Sequence, residues 1–229
     1  YSGILFDKDG TIFDFAETSE AWAKAFLLRA TEGDPDRAQH LGAQIGFDMA
    51  RQQFQRDSIV IAGTPGEVAA ALLPHLPTFD HNSLVAMLNT EAEAAPQAEA
   101  VPLRPYLEGL RANGLRLGVA TNDAEGPARA HLGRAGVTDL FDFIAGFDSG
   151  HGAKPEPGQL LAFGAAMGLE AHQVVMVGDS AHDLQAGRAA GMTPVGVLTG
   201  MASAEDLAPL AAVVLDDIGA LPGWLADQR

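Results

Sequence analysis

The 229-residue chain contains no cysteine, which excludes a disulfide framework, a thiolate zinc site and a cysteine nucleophile together. That absence fits a reducing compartment. Basic residues are scarce: 14 Lys and Arg stand against 30 Asp and Glu, for a formal charge of −16. Nucleic acids and anionic membranes both require a basic face, so neither is expected as a partner. Long apolar runs are missing as well. Those present, such as residues 3–6 and 174–177, fall far short of the roughly 20 residues that span a bilayer. Asp7, Lys8 and Asp9 interrupt the apolar start, so no signal peptide is expected and the expected location is the cytoplasm. The chain opens at Tyr1 rather than Met, which leaves room for residues upstream.

What is present is a globular composition, 47% hydrophobic and 19% charged, enough to bury one core or a core plus a lid. Three apolar runs end abruptly in polar residues: 4–6 before Asp7-Lys8-Asp9-Gly10-Thr11, 115–120 before Thr121-Asn122-Asp123, and 174–177 before Gly178-Asp179-Ser180. Short runs bounded by turn chemistry read as parallel strands buried on both faces. Residues 143–147, 193–198 and 211–215 complete a sheet of about six. Helical patterns alternate with them at 102–113, 126–134, 157–167 and 183–190, most stopping at a glycine. The alternation predicts an open, doubly wound α/β sheet.

One stretch breaks this rhythm. Between residues 14 and 98 no strand is convincing apart from a brief run at 58–61. Helices are expected at 18–29, 46–54, 64–73 (opened by the Thr64/Glu67 capping box) and 82–93. The expected organisation is therefore an α/β core of residues 1–13 and 99–229 with an inserted all-α cap of residues 14–98.

Ligands of open α/β sheets sit at the carboxyl ends of strands. There the sequence places Asp7 and Asp9, Thr121 and Asn122, and Asp179 and Asp183. Four carboxylates in one crevice repel one another unless a cation relieves them. A hard divalent ion, Mg2+, is the expected cofactor, since it also bridges phosphate oxygens. Lys154, in a loop flanked by Pro155 and Pro157, is placed to balance that charge.

These residues, DKDGT at 7–11, TN at 121–122, Lys154-Pro155 and GDSAHD at 178–183, resemble in order and placement the four motifs of the haloacid dehalogenase superfamily of phosphohydrolases. The insertion resembles the C1-type cap of its phosphoglycolate phosphatase-like branch. The resemblance implies a Rossmann-like core and a two-step phosphoryl transfer, with Asp7 as nucleophile and Asp9 as general acid, then base. It implies that Thr121 and Lys154 hold the phosphoryl oxygens, helped by the amides near Lys8 and Asn122. Mg2+ would be held by the Asp7 and Asp179 carboxylates and the Asp9 carbonyl, with Asp183 positioning Lys154 or a metal-bound water. The implied substrate is a small phosphorylated metabolite, with phosphoglycolate the leading candidate. A phosphosugar mutase of the β-phosphoglucomutase type and a non-enzymatic phospho-accepting regulator are the alternatives.

Lys8 departs from the branch, where that position is usually apolar. Transport ATPases of the superfamily carry lysine there but threonine in place of Asp9, and dehalogenases lack the second aspartate, so neither activity is expected. Plainer readings stand beside these. Thr121-Asn122 could be an N-cap with Glu125, and Lys154 a solvated lysine. His182, beside a helix start, is expected to face away from the site, with His151 a weak candidate for substrate contact. His40, His75 and His81 read as cap surface. Trp22, Phe26, Leu84 and Leu88 read as cap core, and Arg51 and Arg56 as candidates for a substrate's anionic tail.

Overall fold

The computed structural model of the protein describes residues 1–228. Strand β1 (Gly3–Phe6) leads into four helices: α1 (Phe15–Ala30), α2 (Pro35–Gln44), α3 (Pro65–Leu72) and α4 (His81–Ala94). A small hairpin of β2 (Phe47–Asp48) and β3 (Gln53–Phe54) lies between α2 and α3. After α5 (Leu103–Ala112) come β4 (Arg116–Ala120), α6 (Glu125–Arg134), β5 (Phe143–Ala145) and α7 (Gly158–Met167). The chain ends with β6 (Val174–Gly178), α8 (Ala181–Ala189), β7 (Thr193–Val197), α9 (Ala204–Leu207), β8 (Val213–Leu215) and α10 (Leu221–Asp227).

Six strands form one sheet in the order β5-β4-β1-β6-β7-β8, every pairing parallel. Successive residues of a strand face opposite sides, and the two faces bury separate clusters. Ile4, Phe6, Val119, Val175 and Val177 pack with α5, α6 and α10. Leu5, Val174 and Met176 pack with Leu160 and Phe163 of α7 and Ala186 of α8. Burial on both faces accounts for runs apolar throughout, the doubly wound arrangement the sequence predicts.

The helices after β1 bury a third cluster of their own, including Phe26, Leu41, Leu72, Leu84 and Leu88. Thr64 and Glu67 form the expected capping box at α3. Two local expectations are corrected. Residues 46–54 form a turn and the β2–β3 hairpin rather than a helix, because Gly46, at φ +71°, ends the preceding helical segment. That segment is α2, capped by Asp34, whose carboxylate accepts the N–H groups of Asp36 and Arg37. Residues 58–61 are turns, anchored where the Ser58 hydroxyl donates to the Ile45 carbonyl (2.6 Å). The described residues contain no helix long and apolar enough to cross a membrane.

Candidate active site

β1 lies between β4 and β6, and the register sets Phe6 beside Val119 and Val177. Residues that follow these strands therefore emerge level at one edge. Asp7 keeps to that frame, its N–H donating to the Val177 carbonyl (2.8 Å). Thr121 and Asn122 follow β4, and Asp179 follows β6. The first motif, the second and the fourth are thus neighbours.

Lys154 joins them from the loop between β5 and α7. Its Nζ donates to Asp7 Oδ1 (2.6 Å), Asp183 Oδ1 (2.6 Å) and the Ala120 carbonyl (2.7 Å), which uses all three ammonium protons. Burial alone would lower its pKa, but Asp183 and Asp7 outweigh burial and hold it above the ordinary lysine value. Burial pushes Asp7 up to about 7 against the pull of Lys154. Asp179, buried beside Asp183 and Asp7, is raised as well. Asp183 is fixed by local helix chemistry: its Oδ2 accepts from the Ser180 N–H (3.0 Å) and hydroxyl (2.7 Å) as part of the α8 capping box. That leaves Oδ1 on Lys154.

Asn122 locks the loop that carries Lys154. Its Oδ1 accepts from the Lys154 N–H, and its Nδ2 donates to the Lys154 carbonyl, both at 2.8 Å. The same Nδ2 donates to the Ala62 carbonyl in the helical layer (2.8 Å). The Thr121 hydroxyl accepts from the Asp123 N–H (3.0 Å), so its own proton is free for another acceptor. Neither residue caps a helix, since the N-cap of α6 is Ala124.

Asp7, Asp179 and Asp183 each present an oxygen within 4.8 Å of the others. Asp179 Oδ2 is buried without a partner. Two glycines let backbone approach it: a Cβ at Gly10 (φ +77°) or at Gly200 would lie 2.4 Å or 1.7 Å from that atom. A buried, unpartnered carboxylate oxygen among hard oxygen donors suits a hard divalent cation. Such a cation would also relieve the raised Asp7 and Asp179.

Asp7, Asp9, Thr121, Asn122, Lys154 and Asp183 floor a cavity whose other walls come from the helical layer, with Phe15, Trp22, Val60 and Ile61 as the apolar part. Thr18 Oγ1 is buried there and has no partner. Trp22 is thus half-buried cavity lining as well as core, whereas Phe26, Leu84 and Leu88 are core only. Arg51 and Arg56 are exposed and do not line the cavity. His182 does line it, contrary to expectation: its Nδ1 lies 3.1 Å from the Ala62 carbonyl. His151 packs against the Phe143 ring and stays outside, and His40, His75 and His81 are exposed. The Lys8 side chain is fully buried and turned to Asp9, Asp123 and His131 instead of the cavity.

Sequence reasoning missed the cavity-lining Phe15, Thr18, Val60 and Ile61 of the helical layer and four residues of the core. Thr199, whose hydroxyl donates to the Gly10 carbonyl (2.6 Å), and Gly200 follow β7, so the strand-end rule already pointed to them. Gln159, which donates to the Thr121 and Gly152 carbonyls (3.0 Å each), lies in α7 and gives no such signal. Nor does His131 on α6, which meets Lys8 across 123 residues of chain.

Comparison with known proteins agrees with this geometry. The family model of haloacid dehalogenase-like hydrolases matches residues 1–191. A phosphoglycolate phosphatase of Rhodospirillum rubrum is 44% identical over 120 residues, about half of each chain (52% of this one, 49% of that). One from Xylella fastidiosa is 32% identical over 205 residues, covering 89% of this chain and 82% of its own. Among solved structures, a HAD phosphatase from Thermococcus onnurineus has the same fold, with a TM-score of 0.68 at 22% identity and 98% of each chain covered.

Proposed function

Because the chain belongs to the haloacid dehalogenase-like hydrolases and is a phosphatase by its relatives, we propose that it hydrolyses the phosphomonoester of a small metabolite through an aspartyl-phosphate on Asp7. The observation that carries this reading is the buried Asp7 carboxylate, held by Lys154 at the end of the central strand pair. In the first step an Asp7 oxygen forms a bond to phosphorus as the bond to the leaving oxygen breaks. Asp9 takes up a proton as the negative phosphate enters beside it and gives that proton to the leaving oxygen. In the second step Asp9, now a carboxylate, takes a proton from water as the water oxygen attacks phosphorus and frees Asp7. The sum is ester plus water giving alcohol plus phosphate.

The Thr121 hydroxyl, whose proton is free, holds one phosphoryl oxygen, and Lys154 holds another by exchanging its bond to Asp7 Oδ1 for the incoming group, with the amides near Lys8 and Asn122 assisting. Asp183 keeps Lys154 in place. Mg2+ would be held by the carboxylates of Asp7 and Asp179 and the carbonyl of Asp9. When bound it neutralises charge on the phosphoryl group and favours ionised Asp7.

Residues 14–98 act in this proposal as a lid that excludes bulk water and surrounds the leaving group. The apolar wall of Phe15, Trp22, Val60 and Ile61, with the unpartnered Thr18 hydroxyl, suits a small alcohol. Phosphoglycolate, the substrate in the relatives' names, is the first compound to test. A mutase needs a second phosphate site, and among the described residues no lysine or arginine of the helical layer lines the cavity; hydrolysis is therefore favoured. A regulator that accepts a phosphoryl group as a signal has no use for an enclosed leaving-group pocket. The reaction is assigned to the cytoplasm, which the absence of cysteine fits. The test is phosphate release from about a hundred phosphorylated metabolites, with and without Mg2+. Sustained turnover is expected on a small monoester, and one phosphate per protein with no turnover would overturn the proposal.

A further inference from the structure

Lys8 has no part in the steps above beyond its backbone, yet its side chain is wholly buried. A lysine ammonium withdrawn from water is strongly disfavoured unless its surroundings compensate. Here they do. Nζ lies 2.5 Å from Asp9 Oδ2, 3.2 Å from Asp123 Oδ2 and 3.0 Å from His131 Nδ1. The lower pKa that burial favours is outweighed by Asp9 and Asp123, which hold Lys8 charged.

The ammonium only donates, so His131 Nδ1 must accept and its ring proton sits on Nε2. That nitrogen donates to the Ala92 carbonyl of α4 (2.6 Å). Burial first, and then the charge of Lys8, push His131 down to about 4, so the ring is neutral as this bonding requires. The Phe13 ring meets it edge-on. Lys8 is thus fixed from two sides, by a carboxylate and by a ring tied to the helical layer.

The consequence falls on Asp9. Its Oδ2 is taken by Lys8, while its Oδ1 is buried with no partner, and the residue lines the cavity. A carboxyl bound to its neighbours at neither oxygen would rotate freely about its last torsion. We propose that Lys8 is a positioning residue: by clamping Oδ2 it fixes the rotation of the Asp9 carboxyl group at the cavity wall, and so the orientation from which Asp9 serves the leaving oxygen and then water. Asp123 and His131 keep the clamp itself in place. This rests on the assignment of Asp9 as acid and base given above.

The test exploits leaving-group chemistry. An alkoxide needs a proton to depart, whereas p-nitrophenolate needs little help. Lys8→Met removes the charge at similar length. It is expected to lower kcat on an alkyl monoester found in the screen (2-phosphoglycolate first) about 10- to 100-fold, the scale of a misplaced catalytic group. With p-nitrophenyl phosphate the formation of phosphoenzyme should stay within about 3-fold of native, while its hydrolysis slows, so that label accumulates on Asp7 in rapid-quench samples. KM should hold in both cases, and Lys8→Arg, which keeps the donors, should restore part of the alkyl rate. Should Lys8→Met unfold because Asp9 and Asp123 then repel each other, Lys8→Met with Asp123→Asn removes that repulsion and is read in the same way. Equal losses in the rate of phosphoenzyme formation from the two esters, or no loss in either step, overturn the inference. Asp9→Asn run in parallel separates the two claims. If it lacks the leaving-group dependence, the acid–base assignment falls and takes the inference with it; if it has the dependence and Lys8→Met lacks it, only the role of Lys8 falls.

Discussion

The carboxyl edge of the sheet and the helical layer line one cavity, but they contribute to it in opposite ways. At the sheet edge, side chains do the work: Lys154 is spent on three acceptors, and Asn122 on three backbone groups. The helical layer answers chiefly with backbone. Its carbonyls at Ala62, Ala92, Glu93 and Ala95 accept from Asn122, His131 and Arg134 of the core, with His182 against Ala62 as well. Its side chains give an apolar wall and the hydroxyl residues Thr18 and Ser19. A grip made through carbonyls places no demand on which side chains the helices carry, so the layer can change its lining without losing its hold on the core. Substitutions at the sheet edge should therefore act on kcat, and those in the layer on KM.

The sharpest test of that division is Asp7→Asn, which should abolish both turnover and labelled phosphoenzyme in rapid-quench experiments. Retained turnover would end the assignment of the nucleophile. Stripping divalent metal with excess EDTA should bring a comparable loss, restored by Mg2+ and only poorly by Ca2+, whose looser shell misplaces the reacting groups. Full activity in EDTA would show that the Asp7–Asp179 pair needs no cation.

Next in size is Asn122→Ala. It frees the loop holding Lys154 and leaves buried backbone groups unpaired, at about 1–3 kcal/mol each, so kcat should fall about 10- to 100-fold by steady-state assay. Trp22→Leu, on the opposite wall, should raise KM several-fold, in line with about 1 kcal/mol of lost apolar contact, with kcat near native. The comparison fails if Trp22→Leu lowers kcat as Asn122→Ala does. The smallest effect is expected from His182→Phe, in α8 of the core, which loses only its bond to Ala62 of the layer and should lower kcat about 2- to 5-fold with KM near native.

The cores of the two regions also differ in how plainly the sequence announced them. In the sheet, each strand is apolar on both faces and ends in a polar turn, so Ile4–Phe6 and Val174–Val177 are visible without any knowledge of their neighbours. In the helical layer residues 46–54 are ambiguous in sequence, since Phe47 and Phe54 at a spacing of seven fit one helical face as well as a hairpin. Their rings instead meet across two strands, with centroids 4.7 Å apart. Helix α2 gives little amphipathic signal in sequence, because its polar face outweighs its few buried residues, Ala38, Leu41 and Gly42.

The sequence by itself determined the parallel sheet and the residues that stand at its carboxyl edge, because strand burial and turn chemistry are local and short in range. It also determined the hold of Asp183, three residues from its partner Ser180. Only the tertiary structure decided which side chains meet across the chain. Lys8 was legible as a charge out of place, but nothing near it in sequence names His131 as its partner. His182 sits in a recognisable motif, yet its contact is a carbonyl 120 residues away. Such pairings depend on where a folded backbone brings distant segments together, and a carbonyl, being the same in every residue, leaves no trace in the sequence of the contact it will make.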